Sequence, residues 1–302
     1  KEVGGRVLKR YVLCRKNMII SCSRRTDIPA FYSDWLVNRI REGYVQVRNP
    51  MNAGQIRMIS LLPAQVDCIV FWTKNPAPLL EKIPLLQNFH YYFQFTLTPY
   101  GRDIEQNLPS KTEVIDTFLA LSRKIGRERI IWRYDPILLS PIIDIDYHVR
   151  HFADLAERLS GYTDKCVISF LDMYRHLQSK SAGLSLRPPD EAQMRTLAGN
   201  MARIAAVHKI KVQTCAEKID LADFGIEHGK CIDDRLISTL TGRNLNREKD
   251  KYQRELCGCV TSCDIGAYDT CGHHCVYCYA NVSSKKMAKN KLLHDNSSPL
   301  LC

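Results

Sequence analysis

Residues 129–170 read RIIWRYDPILLSPIIDIDYHVRHFADLAERLSGYTDKCVISF, and this stretch decides the expected fold. It begins and ends with short apolar, β-branched runs at 129–134 and 165–170, which predict buried strands. The residues between them predict a helix that Asp146 caps and Gly161 ends. Its apolar face consists of Val149, Phe152, Ala156 and Leu159. A strand, a helix and a second strand in this order predict two parallel strands joined by a right-handed crossover.

The same alternation extends along most of the chain. Further strands are predicted at 18–22, 67–72, 91–97, 209–214 and 263–268. One more helix contains Val114 and Ile125 and ends at Gly126, another follows Pro188-Pro189, and a hairpin is expected within 44–62 around Asn52-Ala53-Gly54. The fold class is therefore α/β with parallel strands. We expect an open or nearly closed (β/α) barrel, and a flat doubly wound sheet is the alternative.

Composition and charge narrow the functional classes. The 302 residues are 45% hydrophobic and 25% charged, which are ordinary globular values. No apolar run is long enough for a membrane helix and no signal-peptide pattern opens the chain, so we expect a cytoplasmic protein without membrane contact. The net charge of +11 is concentrated in residues 1–17 and 280–302. It gives only weak support for nucleic-acid binding. The absence of a dinucleotide fingerprint or phosphate-loop motif argues against nicotinamide and nucleotide-triphosphate enzymes.

Polar clusters follow several of the predicted strands. They lie at 21–27, 72–76, 96–101, 132–136 and 213–217. The carboxyl ends of parallel strands form the active-site face of α/β folds, so we expect these clusters to converge on one pocket. Many of these residues also serve turns. A cation directly after a buried strand serves a turn poorly, which makes Lys74 and Arg133 candidates for binding an anionic ligand.

Cysteine is concentrated near the end of the chain. Eight of the thirteen cysteines lie between 215 and 278, which in a reducing compartment indicates metal binding rather than disulfides. Cys271, Cys275 and Cys278 have C-x3-C-x2-C spacing directly after the last predicted strand. Three thiolates so spaced fit a [4Fe–4S] cluster with one iron left open. A zinc site completed by His273, His274 or another cysteine is the alternative.

The triplet resembles the signature of radical S-adenosylmethionine enzymes, whose third cysteine follows an aromatic residue, here Tyr277. The residues in and around the triplet are similar to those of the spore photoproduct lyase branch. Three other patterns are also similar to that branch, namely Ser23 to Asp27, Thr73-Lys74 and Arg133-Tyr134-Asp135-Pro136. In that superfamily the signature follows the first strand of a partial TIM barrel. Here it lies at the opposite end of the chain, and a circular permutation explains the order because first and second strands are neighbours.

Over residues 18–300 the chain resembles a bacterial family called domain of unknown function 1848. The shared patterns are IISCSRRTDIPA at 19–30, FWTKNP at 71–76 and the terminal cysteines. The resulting prediction is a permuted partial (β/α) TIM-like barrel with a C-terminal cysteine-cluster loop. Its parts are a basic extension at 1–17, the partial barrel at 18–256, and a cysteine region with a basic tail at 257–302 that completes the barrel.

The superfamily resemblance implies the chemistry. A reduced cluster passes one electron to S-adenosylmethionine, and the resulting radical takes hydrogen from a substrate that the sequence does not identify. It implies an electron donor such as flavodoxin or ferredoxin. Lys74 and Arg133 are candidates for the cofactor's carboxylate, Asp27 for its amine or ribose, and Tyr277 for its adenine through the backbone. Two other functions remain open: a zinc-stabilised binding module that contacts nucleic acid, and an iron–sulfur redox protein without this cofactor chemistry.

Four further cysteines predict a second metal site. They are Cys215, Cys231, Cys257 and Cys259. Cys215 ends a predicted strand, Cys257-Gly258-Cys259 places two thiols close together, and Cys231 is expected to start a helix, where a thiolate is favoured. Four thiolates complete either a zinc site or an auxiliary [4Fe–4S] cluster. Cys263 is a substitute ligand, and four unrelated reduced cysteines are the alternative.

Overall fold

The computed structural model describes residues 17–177 and 182–302, and their main feature is a parallel sheet of eight strands. A separate antiparallel hairpin lies between its first two strands in the chain. In chain order the strands are β1 (Met18–Cys22), β2 (Tyr44–Asn49), β3 (Asn52–Ser60), β4 (Val66–Thr73), β5 (Tyr91–Thr96), β6 (Ile130–Ile137), β7 (Lys165–Phe170), β8 (Lys211–Thr214), β9 (Glu227–His228) and β10 (Cys263–Asp264). Every predicted strand position is therefore occupied by a strand.

Helices alternate with these strands, as predicted. They include α1 (Ile28–Phe31), α2 (Ser33–Glu42), α3 (Ala77–Leu80), α4 (Lys111–Ile125), α5 (Ile145–Arg158), α6 (Glu191–Val207), α7 (Asp234–Thr241) and α8 (Ser284–Leu293). Within the described ranges, no helix combines the length and the apolar character needed to cross a membrane.

The first strand and the last strand of the chain are neighbours in the sheet. β1 pairs in parallel with β10, with Ile20 opposite Cys263 and Ser21 opposite Asp264. The permuted order predicts that the strands at 18–22 and 263–268 are parallel neighbours, and this adjacency is confirmed. The predicted strand is too long, however, because β10 ends at Asp264. The carboxylate of Asp264 accepts hydrogen bonds from the Ser23 hydroxyl at 2.7 Å and the Gly266 amide at 3.0 Å. The Ile265 amide still donates to the Ser21 carbonyl at 3.0 Å, and beyond it the side-chain bonds of Asp264 replace the strand ladder.

The sheet is open. Its order is β10-β1-β4-β5-β6-β7-β8-β9, and the two end strands do not pair with each other. A closed TIM barrel is therefore absent from the described residues. Both end strands contain only two residues, which leaves little backbone for a closing ladder.

Both faces of the sheet are covered, which explains the continuous apolar runs. On one face, Ile20 and Phe93 belong to a large core with residues of α2, α4, α5 and α6. On the other face, Ile19 and Val70 pack with residues of the segment 231–260. Successive residues of a strand point to opposite faces, so each strand supplies apolar side chains to both cores.

The start of α5 differs from the prediction. The N-cap is Asp144, whose side chain accepts a hydrogen bond from the Tyr147 amide at 2.7 Å, and Asp146 lies within the first turn. Both aspartates favour a helix start, and the helix begins at the earlier one because its carboxylate reaches a free amide.

The C-terminal tail is packed against the protein rather than loose. The indole of Trp35 donates to the Ser298 carbonyl at 2.9 Å, and Arg39 donates to the Ser297 carbonyl at 2.7 Å. The amide of Gln46 donates to the Pro299 carbonyl at 2.8 Å. The tail therefore covers α2 and the hairpin. Residues 1–16 of the predicted basic extension lie outside the described residues.

His148 in α5 is buried and makes stability depend on pH. Its Nδ1 lies 2.8 Å from the Tyr134 hydroxyl and its Nε2 lies 2.7 Å from the Leu138 carbonyl, so both nitrogens of a neutral ring are satisfied. Burial lowers the pKa of His148 to about 4. The unfolded chain binds this proton near pH 6.5, so folding stability falls as pH decreases from about 6.5 towards 4.

Between pH 7 and pH 4, the titration of His148 should lower the free energy of unfolding of the wild type by about 3 kcal/mol, since one pKa unit corresponds to about 1.4 kcal/mol. We expect His148→Gln to lack this contribution. Urea unfolding of both proteins at the two pH values measures the difference. The matched control is His90→Gln at an exposed position, which should leave the dependence unchanged. Equal pH dependence in wild type and His148→Gln would contradict this assignment.

Candidate functional site

A cavity of about 340 Å³ opens at the carboxyl ends of the parallel strands. Residues at or just beyond the carboxyl ends of β1, β4, β5, β6, β7 and β8 all contribute to its wall. The predicted convergence of the polar strand ends is therefore confirmed. All four residues predicted for cofactor binding line this cavity, namely Asp27, Lys74, Arg133 and Tyr277.

The seven cysteines predicted as metal ligands line the same cavity. One group comprises Cys271, Cys275 and Cys278, and the other comprises Cys215, Cys231, Cys257 and Cys259. Burial raises the pKa of Cys271, and the neighbouring negative groups raise it further. Burial also raises the pKa of Cys275 to about 12, although Lys74 acts in the opposite direction. These thiols are therefore protonated at neutral pH unless a metal binds them.

The loop that carries Cys271, Cys275 and Cys278 is closed at its base. The carboxylate of Asp269 accepts from the amides of Val282 and Ser283, at 2.6 and 2.8 Å. The side-chain amide of Asn281 donates to the Cys271 carbonyl at 2.6 Å. Residues on both sides of the triplet are thus tied together, which keeps the three thiols within one short loop.

Asp27 holds this loop against β4. One carboxylate oxygen accepts from the Ala30 amide and so caps α1. The other accepts from the Lys74 backbone amide at 2.7 Å and lies 2.8 Å from His273 Nε2. Asp27 is 4% exposed. Its carboxylate is therefore part of the framework of the cavity wall.

Glu105 is a central residue that sequence reasoning missed. Its buried carboxylate accepts from Lys74 and from the Thr98 hydroxyl, each at 2.7 Å, and also from Lys111 and the Tyr277 hydroxyl. Burial alone raises its pKa, but the two lysines outweigh burial and lower the pKa of Glu105 to about 2. The carboxylate is therefore ionised at any ordinary pH.

The backbone of Glu105 also holds the cysteine loop. It forms a β-bridge to Cys275, and the Val276 amide donates to the Ile104 carbonyl at 2.9 Å. The segment that follows β5 thus supports the cysteine loop on one side. The sequence did contain a signal for Glu105, because this carboxylate lies a few residues beyond the polar cluster that ends a predicted strand.

Arg133 in β6 also lines the cavity. Its guanidinium pairs with Asp135, donates to Gln94 Oε1 at 3.3 Å and donates to Cys231 Sγ at 2.8 Å. Asp135 also accepts from the Ser169 hydroxyl. Lys74 and Arg133, both predicted to bind an anion, thus each have a carboxylate partner from the protein itself.

The second cysteine group is assembled from three separate segments. The Sγ atoms of Cys215 and Cys231 lie 3.1 Å apart. Cys231 also interacts with the thiol of Cys259, which interacts with that of Cys257. The predicted helix start at Cys231 is wrong, since α7 begins at Asp234 with Asp233 as its cap. The carboxylate of Asp233 accepts a hydrogen bond from a free amide at the start of α7. A thiol accepts such a bond only weakly, so Asp233 is the better cap.

Neither cysteine group is arranged as a ready-made ion site. Among the described residues, no three or more His, Cys, Asp or Glu side chains form a set that could hold a metal ion. The structure therefore gathers the predicted thiols around one cavity, and both metal assignments stay predictions.

A comparison with protein families identifies the relatives of this chain. Residues 19–280 match the family model described as domain of unknown function DUF1848. The chain belongs to this family. The match includes the strand ends and the cysteine loop that line the cavity, so the cavity is formed by the region that the DUF1848 family model covers.

Comparisons with individual proteins add little to this assignment. No curated protein matches the chain significantly. Among solved structures, the DUF1848 chain is similar to a protein from Bacteroides thetaiotaomicron VPI-5482 described as an alpha-L-fucosidase, with 12% sequence identity. That alignment covers 80% of this chain and 89% of the other, with a TM-score of 0.28, and carries no functional argument.

Proposed function

We propose that this DUF1848 protein is a radical S-adenosylmethionine-type enzyme, with Cys271, Cys275 and Cys278 as the ligands of a [4Fe–4S] cluster. The observation that carries the proposal is the position of the C-x3-C-x2-C loop. All three thiols face a cavity at the carboxyl ends of a parallel sheet, together with polar residues from five strand ends. Three cysteines of this spacing leave one iron of a cubane open.

The chemistry of the donors suits such a cluster, because all three are thiols. The thiols come from one short loop with a closed base, and its residue His274 has a φ of 55°, the left-handed conformation that tightens a turn. When bound and reduced, a [4Fe–4S] cluster supplies the electron for the reductive cleavage of S-adenosylmethionine, which leads to hydrogen abstraction from a substrate.

The residues around the loop position it and exclude water. Glu105 connects Lys74, Lys111 and Tyr277 through one buried carboxylate, while its backbone bridges to Cys275. Asp27 links the loop to β4 through His273 and the Lys74 amide. This framework of carboxylate and backbone bonds holds the cysteine loop at the cavity wall.

We assign the amino-acid end of S-adenosylmethionine to the part of the cavity beside Lys74, Arg133 and Asp27, with Tyr277 on the adenine side. Each of these side chains already has a partner within the protein, so the cofactor carboxylate shares Lys74 with Glu105 or Arg133 with Asp135. An electron donor such as flavodoxin or ferredoxin completes the reaction.

We also propose that the open sheet corresponds to the partial barrel of that superfamily in circularly permuted order. The parallel pairing of β10 with β1 supports this, because it places the cysteine loop beside the N-terminal strand. In the unpermuted order, the strand before the cysteine loop comes first and β1 second.

Zinc binding is the second candidate, and one observation favours it. His273 is buried beside the cysteine loop, and its Nε2 is bonded to Asp27. Its buried Nδ1 has no hydrogen-bond partner among the described residues. This nitrogen is therefore available to a metal ion, while Asp27 orients the ring through Nε2. Three thiolates and this nitrogen are a familiar zinc ligand set.

Anaerobic purification with iron and sulfide reconstitution tests the proposal. We expect about four irons per chain at this loop, a brown protein, and 5′-deoxyadenosine when the reduced protein meets S-adenosylmethionine. Chromatography of the quenched reaction measures this product. A colourless zinc protein would establish the zinc module instead, and bound iron without 5′-deoxyadenosine would establish a redox protein.

A further inference from the structure

The second cysteine group has features that four unrelated buried cysteines lack. Cys215 follows β8, Cys231 precedes α7, and Cys257 and Cys259 precede β10, yet the Sγ atoms of Cys215 and Cys231 lie 3.1 Å apart. Cys259 lies near Cys231 and Cys257. Cys68 provides a contrast, because it is fully buried within β4 as an ordinary core residue. The fold thus brings thiols from three segments together at one wall of the cavity.

Positive charge surrounds this group. Arg133, which is 5% exposed, donates from Nη1 to Cys231 Sγ at 2.8 Å. The guanidinium of Arg24 lies near Cys259, Asp264 and Cys231, and it donates to the Ser262 hydroxyl at 3.1 Å. The amide of Ile232 donates to Cys259 Sγ at 3.3 Å. Asp135 balances part of the charge of Arg133, but both guanidinium groups still lie where they offset negative charge on the cysteines. Four thiolates around a divalent ion carry a net charge of −2.

The distance between sulfur atoms distinguishes a disulfide, a zinc site and an iron–sulfur cluster. At 3.1 Å, Cys215 and Cys231 are separate thiols, since a disulfide bond is about 2.05 Å long. Sulfur atoms around a tetrahedral zinc are about 3.8 Å apart, given bonds of about 2.3 Å. A cubane cluster separates its ligands further. The short distance between Cys215 Sγ and Cys231 Sγ therefore favours one small ion over a cluster.

We propose that Cys215, Cys231, Cys257 and Cys259 bind one zinc ion as four thiolates, separately from the Cys271 loop. Because the thiols are not already arranged as an ion site, zinc binding rotates them and releases their protons. The bound ion fixes the segment 257–259 to the end of β8 and so stabilises one wall of the cavity. This proposal does not depend on the proposed radical chemistry.

The test uses the full chain with Cys271, Cys275 and Cys278 all replaced by Ala, so that the other loop contributes no metal. We expect about one zinc per chain in this background by elemental analysis. Adding Cys215→Ser and Cys231→Ser should remove it. Adding Cys302→Ser instead, at a half-exposed thiol outside the cavity lining, should leave it in place.

Cobalt titration keeps the test valid if the double serine variant fails to fold. The metal-free background protein is titrated with Co²⁺, which shows sulfur-to-metal charge-transfer and intense d–d bands in a tetrahedral thiolate site. We expect these bands to saturate at about one equivalent and to disappear when Zn²⁺ is added. Their absence would overturn the proposal. So would four irons in place of zinc in the anaerobic background protein, or a Cys215–Cys231 disulfide in freshly prepared protein.

Discussion

Replacing Cys271, Cys275 and Cys278 together by Ala is expected to remove about four irons per chain and to abolish 5′-deoxyadenosine formation. The three cysteines line the cavity and are the proposed iron ligands, and an Ala methyl group binds no iron. Iron analysis after anaerobic reconstitution and chromatography of the reaction products measure both effects. If the second cysteine group binds zinc, its zinc content should not change in this variant.

The control for the triple variant is Cys302→Ser, which removes a thiol outside the cavity lining. It should keep the iron content and the activity of the wild type. Urea unfolding of the triple variant establishes whether the chain still folds, which is expected because Asp269, Asn281 and Glu105 close and support the loop through other atoms. Unchanged iron in a folded triple variant would contradict the cluster assignment.

Replacing Glu105 by Gln is expected to lower the free energy of unfolding by about 3–5 kcal/mol, the usual cost of removing one partner from a buried ion pair. Glu105 is 1% exposed and neutralises both Lys74 and Lys111, so the neutral amide leaves two ammonium groups without their carboxylate. Urea unfolding at pH 7 measures the change, since the low pKa of Glu105 keeps the wild-type carboxylate ionised there.

The matched control is Asp116→Asn, which removes an exposed carboxylate from nearby α4. It should change the free energy of unfolding by less than about 0.5 kcal/mol. Glu105→Gln should also weaken iron retention, because the bonds of Lys74 and Tyr277 to the carboxylate hold the cysteine loop in place. A loss of stability no greater than that of Asp116→Asn would show that Glu105 is not a central support.

Patterns that depend on neighbours in the chain were read correctly from the sequence. The buried run at 165–170 predicted β7 with its observed bounds, and Gly126 marked the end of α4. Polar residues after the strands predicted the cavity, because parallel strands all end at one edge of the sheet. Local signals fail where two candidates compete, as Asp144 and Asp146 do at the start of α5.

The sequence by itself determined the alternation of strands and helices, the parallel sheet, the pairing of the two terminal strands, and the seven cysteines of the candidate site. The alternation and the parallel sheet follow from local hydrophobic periodicity and turn residues, and the cysteines from their clustering near the end of the chain. The pairing of β1 with β10 was implied by the resemblance to radical S-adenosylmethionine enzymes in permuted order. Only the tertiary structure decided that Glu105 lies between Lys74 and Lys111, that Arg133 faces both Asp135 and Cys231, and that the sheet stays open. These outcomes depend on which side chains from distant parts of the chain meet when water is excluded. A buried charge is stable only beside a partner that lies close in space, and the distance between two residues in the sequence does not show whether they are close.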